Sequence, residues 1–380
     1  MVPPRPFDAP IYVARPTLPP LGDYVARLEE IWKSAWLTNQ GAQHEELERA
    51  LVQYLGARHL SLFNNGTIAL IVACRALRLG GEVITTPFTF PATAHVLSWN
   101  GITPVFADID AETLTIDPDA IEPLITSETT GILGVHVYGT PCAVERIDGL
   151  ARYYGLRVIY DGAHAFGTRI SGIPIASFGD ATMFSFHATK LFFTAEGGAL
   201  AMADPALKQR IDLLKNFGIK DEETVVLAGI NGKMNELQAA LGLIVLAQVD
   251  AERARRTEIA AIYRSRLNSI EGIRLIATSP GVESSQQYCV LRVDTVGASL
   301  CRDSLYERLK RFNIFTRKYF HPLCSQFSCY RQLPSAQPGR LPNAERAARE
   351  VLSLPFYGAL SNDEVQRICD AIEYCCRGGG

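Results

Sequence analysis

No stretch of the 380 residues approaches the roughly 18 consecutive apolar residues that a membrane-spanning helix needs, and the Pro-rich start, Met1 to Pro20, lacks the apolar core of a secretory signal. Charge of one sign is concentrated nowhere: the formal net charge is −3 and the pI near 6.2, without a block of like charges. That removes the electrostatic footprint of nucleic-acid binding or of attachment to an anionic membrane. Cysteine is present but unpatterned. Nine residues, an odd number, lie scattered without the two C-x₂₋₄-C units that pair in a zinc site and without a sign of the oxidising context in which disulfide frameworks form. His321, Cys324, Cys329, Cys375 and Cys376 assemble into a metal site only on paper, so no metal is expected. Cys74, Cys142, Cys289, Cys301 and Cys369 read as small buried hydrophobes with reduced thiols. Internal repeats and low-complexity tracts are also missing. The expectation is a soluble, cytoplasmic protein that binds neither nucleic acid nor membrane.

What is present is a large apolar fraction, 47%, enough at this length for a sizeable core and for two domains or one domain with an appendage. From about Leu60 to Ala203, short β-rich runs alternate with helical segments. The runs are His59–Phe63, Glu82–Thr86, Thr103–Ile109, Gly131–Tyr138, Arg157–Asp161, Thr182–Phe186 and Ala199–Met202. The helices are Thr67–Leu79, Pro91–Trp99, Pro118–Ile125 and Val144–Tyr154, several opened by Pro, Asp or Thr as helix starts require. Such alternation predicts an α/β fold whose large, mainly parallel sheet is covered by helices. After Asn235 the texture changes. One long helical region, Asn235–Leu267, carries charges over its later half and reads as a solvated connecting helix. Strands Ile273–Ile276 and Tyr288–Val293, with helices Ser299–Phe312, Pro342–Leu352 and Asn362–Tyr374, then suggest a smaller C-terminal α+β domain. The expected division is 1–240 for the large domain with an N-terminal arm and 241–380 for the linking helix and small domain. Residues 328–342 read as a loop and 378–380 as a disordered end.

The chemistry is concentrated around one lysine. Met183-Phe184-Ser185-Phe186-His187-Ala188-Thr189-Lys190, followed by Ala195-Glu196-Gly197-Gly198, sets Lys190 between an apolar strand and a glycine turn. A lysine on a surface is a poor nucleophile, but burial that lowers its pKa makes it a good imine former. Asp161 ends the run Arg157–Asp161, at the carboxyl end of a buried strand where ligands of open α/β sheets bind. A carboxylate held ionised beside a pyridine nitrogen keeps that nitrogen protonated, and the pyridinium then withdraws electrons from a carbanion on the substrate, which is the chemistry of pyridoxal phosphate. Asn64-Asn65-Gly66-Thr67 ends a strand and opens a helix. Its N–H groups and the Thr67 hydroxyl suit a phosphate, and an ordinary N-cap would use the same residues. Phe88 and Phe90 suit either ring stacking or core packing. His164 reads as a partner for a ring hydroxyl or as a buried histidine on backbone, and Ser185 as a phosphate contact or a strand serine.

These motifs bring the chain close to a known family. Asn65-Gly66-Thr67, Pro87-Phe88-Thr89-Phe90 with Ala92-Thr93-Ala94, Thr103-Pro104-Val105-Phe106 with Asp108-Ile109-Asp110, His136-Val137-Tyr138-Gly139, Asp161-Gly162-Ala163-His164 and Ser185-Phe186-His187-Ala188-Thr189-Lys190 occur in order. They are followed by Gly229-Ile230-Asn231-Gly232-Lys233-Met234-Asn235-Glu236-Leu237-Gln238-Ala239-Ala240 and Leu352-Ser353-Leu354-Pro355. In these the chain resembles the DegT/DnrJ/EryC1/StrS sugar aminotransferases over nearly its whole length. The resemblance implies the type I aminotransferase fold and pyridoxal 5'-phosphate as cofactor, with pyridoxamine phosphate as the intermediate form. It implies that Lys190 is the Schiff-base lysine, that Asp161 pairs with the pyridine nitrogen and that Phe90 stacks on the ring. Gly66, Thr67 and Ser185 would hold the phosphate, with His164 near the ring. Asn231 and Lys233 would reach the phosphate from a second subunit, so that active sites form at a homodimer interface. The chain departs from the family pattern at Lys233, where Arg is frequent, at His164, where Gln is, and at Cys324, where His is. Lys and His can keep the charge or the hydrogen bond, but Cys324 leaves no basis for a substrate role there.

By the same resemblance, L-glutamate donates the amino group and a nucleotide-linked keto sugar receives it, with freed Lys190 carrying the proton. Trp36-Leu37-Thr38-Asn39, Gly81-Glu82-Val83-Ile84-Thr85-Thr86-Pro87 and Tyr160-Asp161-Gly162-Ala163-His164-Ala165-Phe166-Gly167 look most like the branch that aminates dTDP-4-keto-6-deoxyglucose. Amination at C3 of a related sugar is the alternative. His187, Arg317, Tyr319 and His321 are candidate substrate contacts; packed histidine and solvated turn are the other readings. A sugar dehydratase of the same fold replaces the Schiff-base lysine with histidine, so Lys190 argues for amino transfer. A regulatory protein on the fold remains a third class.

Overall fold

The computed structural model describes residues 3–294 and 300–378. Its centre is a seven-stranded sheet in the order His59–Phe63, Gly198–Met202, Ala181–Ser185, Arg157–Asp161, Thr129–Val135, Glu82–Thr85, Thr103–Phe106. All neighbours pair parallel except Gly198–Met202, which runs antiparallel to the strands on both its sides. The exception follows from the connection. Parallel neighbours need a crossover, usually a helix, and the loop after Ser185 that carries Lys190 contains none before Gly198, so the chain returns beside the strand it has just left. Side chains alternate between the two covered faces. Leu200 and Met202 pack with helices Gly66–Ala76, Pro91–Trp99 and Pro205–Leu214, whereas Ala199 and Ala201 pack towards helices Ala42–Leu55 and Glu236–Leu246. Helix Val144–Tyr154 covers the same second face farther along, over Ile132 and Val158.

Strands His59–Phe63 and Arg157–Asp161 and helices Pro91–Trp99 and Val144–Tyr154 have the expected bounds. Other bounds shift, some for local and some for tertiary reasons. The helix after Asn65 ends at Ala76 rather than Leu79, because Arg78 takes a left-handed φ of 58° and Leu79 N–H bonds back to Cys74 O. The expected single helix Asn235–Leu267 is two, Glu236–Leu246 and Val249–Leu267, separated at Ala247 and Gln248. The first packs against helix Ala42–Leu55 and the second on the C-terminal unit. The expected helix Pro342–Leu352 stops at Glu350. Val351, Leu352 and Ser353 leave it as a buried strand of the small sheet, order Ile273–Leu275, Val290–Val293, Val351–Ser353. The helix expected from Ser299 begins at Arg302; Ser299 and residues 379–380 of the expected tail lie outside the described residues. Helices Leu21–Ser34, Ala42–Leu55 and Pro205–Leu214 have no counterpart in the sequence analysis.

The C-terminal unit has its own core, built from Leu267, Leu291, Leu305, Leu352, Ile368 and Cys375 among others. Phe7 and Ile11 of the N-terminal arm join this core, and strand Ile11–Tyr12 pairs parallel with Ile314–Phe315. The arm then crosses the junction of the two units, where Thr17 Oγ1 donates to Glu252 Oε2 at 3.0 Å. Cys74, Cys142, Cys289 and Cys369 are buried, but Cys301 is exposed: it occupies the N-cap of helix Arg302–Lys310, a position at the end of an element rather than on its packed face. Among the described residues, no helix is long and apolar enough to cross a membrane, and no three His, Cys, Asp or Glu side chains stand together as a metal site.

Candidate active site

The carboxyl ends of the central strands converge on Asp161 and Lys190. Asp161 is the last residue of its strand and 5% exposed. Its Oδ2 accepts from Thr93 Oγ1 at 2.8 Å and its Oδ1 from Ala163 N–H at 3.0 Å. Thr93 sits in the first turn of the helix opened by Pro91, and its own hydroxyl is bonded to Thr89 at 2.9 Å, so Thr89 donates to Thr93 and Thr93 to the carboxylate. Burial raises the Asp161 pKa, while the two hydrogen bonds and Lys190 pull it back. The net rise makes Asp161 a carboxylate suited to share a proton with a basic partner rather than to stand alone.

Lys190 lies on the loop between strands Ala181–Ser185 and Gly198–Met202 and is half-buried. Loss of water around its amine lowers the pKa from 10.5 to about 8, with Asp161 acting in the opposite sense. At neutral pH such an amine is therefore deprotonated far more often than a surface lysine is. Its nitrogen makes no hydrogen bond or ion pair among the described residues. His164, 4% exposed, completes this corner. Its Nδ1 accepts from Tyr138 N–H at 3.2 Å, which places the proton of the neutral ring on Nε2. Burial, with Lys190 second, holds its pKa well below the ordinary histidine value. The ring lies parallel to Phe320 at 5.8 Å and edge-on to Tyr288 at 5.0 Å.

The turn after strand His59–Phe63 forms the next part. Asn65 Oδ1 caps its helix by accepting from Ile68 N–H at 2.8 Å, which leaves the first-turn N–H groups of Gly66 and Thr67 for an anion. The fit is close. A Cβ on Gly66 would lie 2.9 Å from Met183 Sδ and 3.2 Å from Ser185 Cβ, and one on Gly198 would lie 2.7 Å from Gly66 N, so only glycine lets these backbones meet. Thr67 is exposed, Ser185 half-buried and directly opposite Gly198 in the sheet. Phe90 is the N-cap of helix Pro91–Trp99 and is 58% exposed, so its ring is open to a planar partner, whereas Phe88 is fully buried in the core. Gly232 O accepts from Asn64 N–H at 3.0 Å, which brings the segment 231–233 to the same turn by its backbone; Asn231 is exposed and Lys233 Nζ lies 4.6 Å from the Phe217 ring centre.

The candidate substrate contacts are less gathered. Tyr319 is half-buried beside Tyr288, and its carbonyl accepts from the Tyr138 hydroxyl; the Phe320 stack thus draws this loop to His164. Arg317 and His321 are exposed. His187 is exposed too and engages Thr189 Oγ1 at 2.8 Å and Glu196 Oε1 at 3.6 Å. Thr93, Ser285, Gln287 and Tyr288 also belong to this site, although no sequence motif gives them a role. Thr93 falls inside a quoted motif; the other three reach the site only through the fold.

A phosphate-sized cradle at a helix start, an open aromatic, a buried acid and an amine of lowered pKa, all at the carboxyl edge of a parallel sheet, define a pyridoxal-phosphate-dependent aminotransferase. The chain belongs to the DegT/DnrJ/EryC1/StrS aminotransferase family, whose model matches residues 22–373. It is 46% identical to an Escherichia coli dTDP-4-amino-4,6-dideoxy-D-glucose transaminase over 364 residues, covering 95% of this chain and 97% of that one, and 44% identical to the Shigella dysenteriae protein of the same name, covering 96% and 99%. Among solved structures, DesI in the presence of its TDP-sugar product is 37% identical with a TM-score of 0.94, covering 99% of this chain and 95% of that one. The PLP-form of the Streptococcus pneumoniae sugar aminotransferase Spr1654 is 26% identical with a TM-score of 0.89, covering 98% and 100%.

Proposed function

We propose that the protein transfers an amino group from L-glutamate to C4 of dTDP-4-keto-6-deoxy-D-glucose, giving dTDP-4-amino-4,6-dideoxy-D-glucose. The observation that carries this reading is the 46% identity with the Escherichia coli transaminase across nearly the full length of both chains. When bound, pyridoxal phosphate supplies an aldehyde that bonds an amine and a ring that draws electrons from the neighbouring carbon. The rest falls to the chain. Gly66, Thr67 and Ser185 hold the phosphate, Phe90 covers one ring face, and Asp161, oriented by Thr93 and Ala163, holds a proton on the ring nitrogen. Lys190 anchors the cofactor and moves a proton at the substrate carbon, for which a pKa near 8 suits both taking and giving. His164 offers its Nε2–H to the ring hydroxyl.

The active unit in this reading is a homodimer. Trp32, Trp36, Leu37, Phe217, Ile219 and Val225 are large apolar side chains left exposed in the single chain, and the last three flank the segment that carries Asn231 and Lys233. A second copy would cover them while these two polar side chains reach its phosphate site. His187, Arg317, Tyr319 and His321 face the sugar nucleotide. The location is cytoplasmic, since both co-substrates are charged metabolites. Incubation with glutamate and a panel of nucleotide-linked 3- and 4-ketosugars, with the product identified by mass and NMR, tests the proposal. Amination at C3 alone, or of simple α-keto acids alone, would overturn the substrate assignment.

A further inference from the structure

The segment between strand Val282–Glu283, which pairs with Arg169–Ile170, and strand Val290–Val293 of the small sheet touches both the lysine loop and the His164 turn. Gln287 on it is 5% exposed. Its Oε1 accepts from Leu191 N–H at 2.7 Å and its Nε2 donates to Thr189 O at 3.1 Å, so one amide engages the backbone on both sides of Lys190. Two residues earlier, fully buried Ser285 donates to His164 O at 2.6 Å, and one residue later the Tyr288 ring meets the His164 edge. Arg256 Nη1 in turn donates to Gln286 O at 3.3 Å.

The lysine loop has no strand or helix ladder of its own; its local closures are Lys190 N–H to His187 O, Thr194 N–H to Phe186 O and Phe186 N–H to Gly197 O, all at 2.9 Å, with the Thr194 hydroxyl on Glu196 O at 2.8 Å, and none of them engages the Thr189 carbonyl or the Leu191 N–H. A lysine stem is long and flexible, so the reach of its amine depends on the backbone that carries it. An amide side chain presents donor and acceptor together and substitutes for the neighbouring strand the loop lacks. We propose that Gln287 is a positioning residue: it clamps the backbone on either side of Lys190, and the segment 285–288 fixes the lysine loop and the Asp161–His164 turn in one frame. This inference rests on Lys190 being the cofactor lysine.

The test keeps the two claims apart. Hydrogen exchange in the cofactor-free chain reads the Leu191 amide: Gln287→Leu is expected to speed its exchange about tenfold or more, while Gln287→Glu, which keeps the acceptor, preserves protection. In the loaded enzyme, Gln287→Leu is expected to lower kcat about tenfold, with KM for the amino donor changed less than about twofold. Gln287→Glu brings a carboxylate to the backbone on either side of Lys190, and in the cofactor-free chain it is expected to move the pH at which Lys190 becomes reactive to amine-directed labelling upward. Unchanged Leu191 exchange in Gln287→Leu, or an unchanged kcat and labelling profile in both variants, overturns the proposal. Failure of borohydride to fix the cofactor on wild-type Lys190 would instead sink the cofactor reading and leave the exchange result standing.

Discussion

Lys190 and Lys215 share one circumstance, an ammonium drawn out of water with its pKa lowered for that reason, and differ in what each has been given in return. Lys215 ends the helix Pro205–Leu214, is 6% exposed, and is matched on all sides: Asp212 at 3.0 Å, the Leu62 carbonyl at 3.2 Å and the Phe63 ring at 5.6 Å. Lys190 keeps more contact with solvent but has none of these partners, only the field of Asp161. The pair teaches that burial alone does not make a nucleophile. Ion-pairing and hydrogen bonding commit a buried amine to its charged form, and withholding them leaves the neutral form within reach near pH 8.

The contrast breaks most sharply by deletion. Lys190→Ala is expected to lower kcat by roughly a thousandfold or more while leaving the melting temperature unchanged or higher, since the residue removed anchors chemistry and not packing. Steady-state kinetics and calorimetry check both halves; near-normal turnover would end the assignment. Asp161→Asn comes next. It removes the charge yet retains an acceptor for Thr93 or Ala163, so the fold persists and kcat falls by roughly a hundredfold, accompanied by a changed cofactor absorption band. Lys215→Met is the converse case. Its loss removes the Leu62 carbonyl's lysine donor and leaves Asp212 with Lys208 at 2.8 Å and the Ser61 hydroxyl at 2.8 Å. Because Asp212 is partly exposed, the cost is about 1–3 kcal/mol in denaturant unfolding rather than the full penalty of an isolated buried charge, with kcat changed by less than about threefold.

The same two lysines mark what a single sequence can disclose. Lys190 and Asp161 are legible because their chemistry demands particular residue types at strand ends, and a short ordered motif carries each. Gln287 and Ser285 are not: they act across 98 and 121 positions, through contacts that no local pattern encodes. Lys215 gives no signal at all, since only the folded chain brings the helix end under strand His59–Phe63. The antiparallel strand Gly198–Met202 lies between these cases. Its composition reads as a strand, but its direction is set by the helix-free loop before it. The end of helix Pro342–Glu350 followed the same rule, because the burial of Val351 and Leu352 in the small sheet outweighed helical periodicity.

The smallest effect isolates the amine itself. With its folded pKa near 8 against an ordinary 10.5, Lys190 binds less proton in the native chain than in the unfolded chain between those values, so stability rises with pH across that window. Below about pH 8 the penalty for burying the charge is fully present. Asp161 acts in the opposite sense: its raised pKa contributes stability that is fully present below the usual carboxylate range and is lost as pH rises through its folded value. The cofactor-free protein and its Lys190→Met variant share every other titrating group. The difference between their unfolding free energies should therefore shrink steadily from about pH 8 to pH 10, with the variant the more stable at the acid end. A flat difference would mean that the amine is as well hydrated as a surface lysine, and the distinction drawn from Lys215 would then have no physical basis.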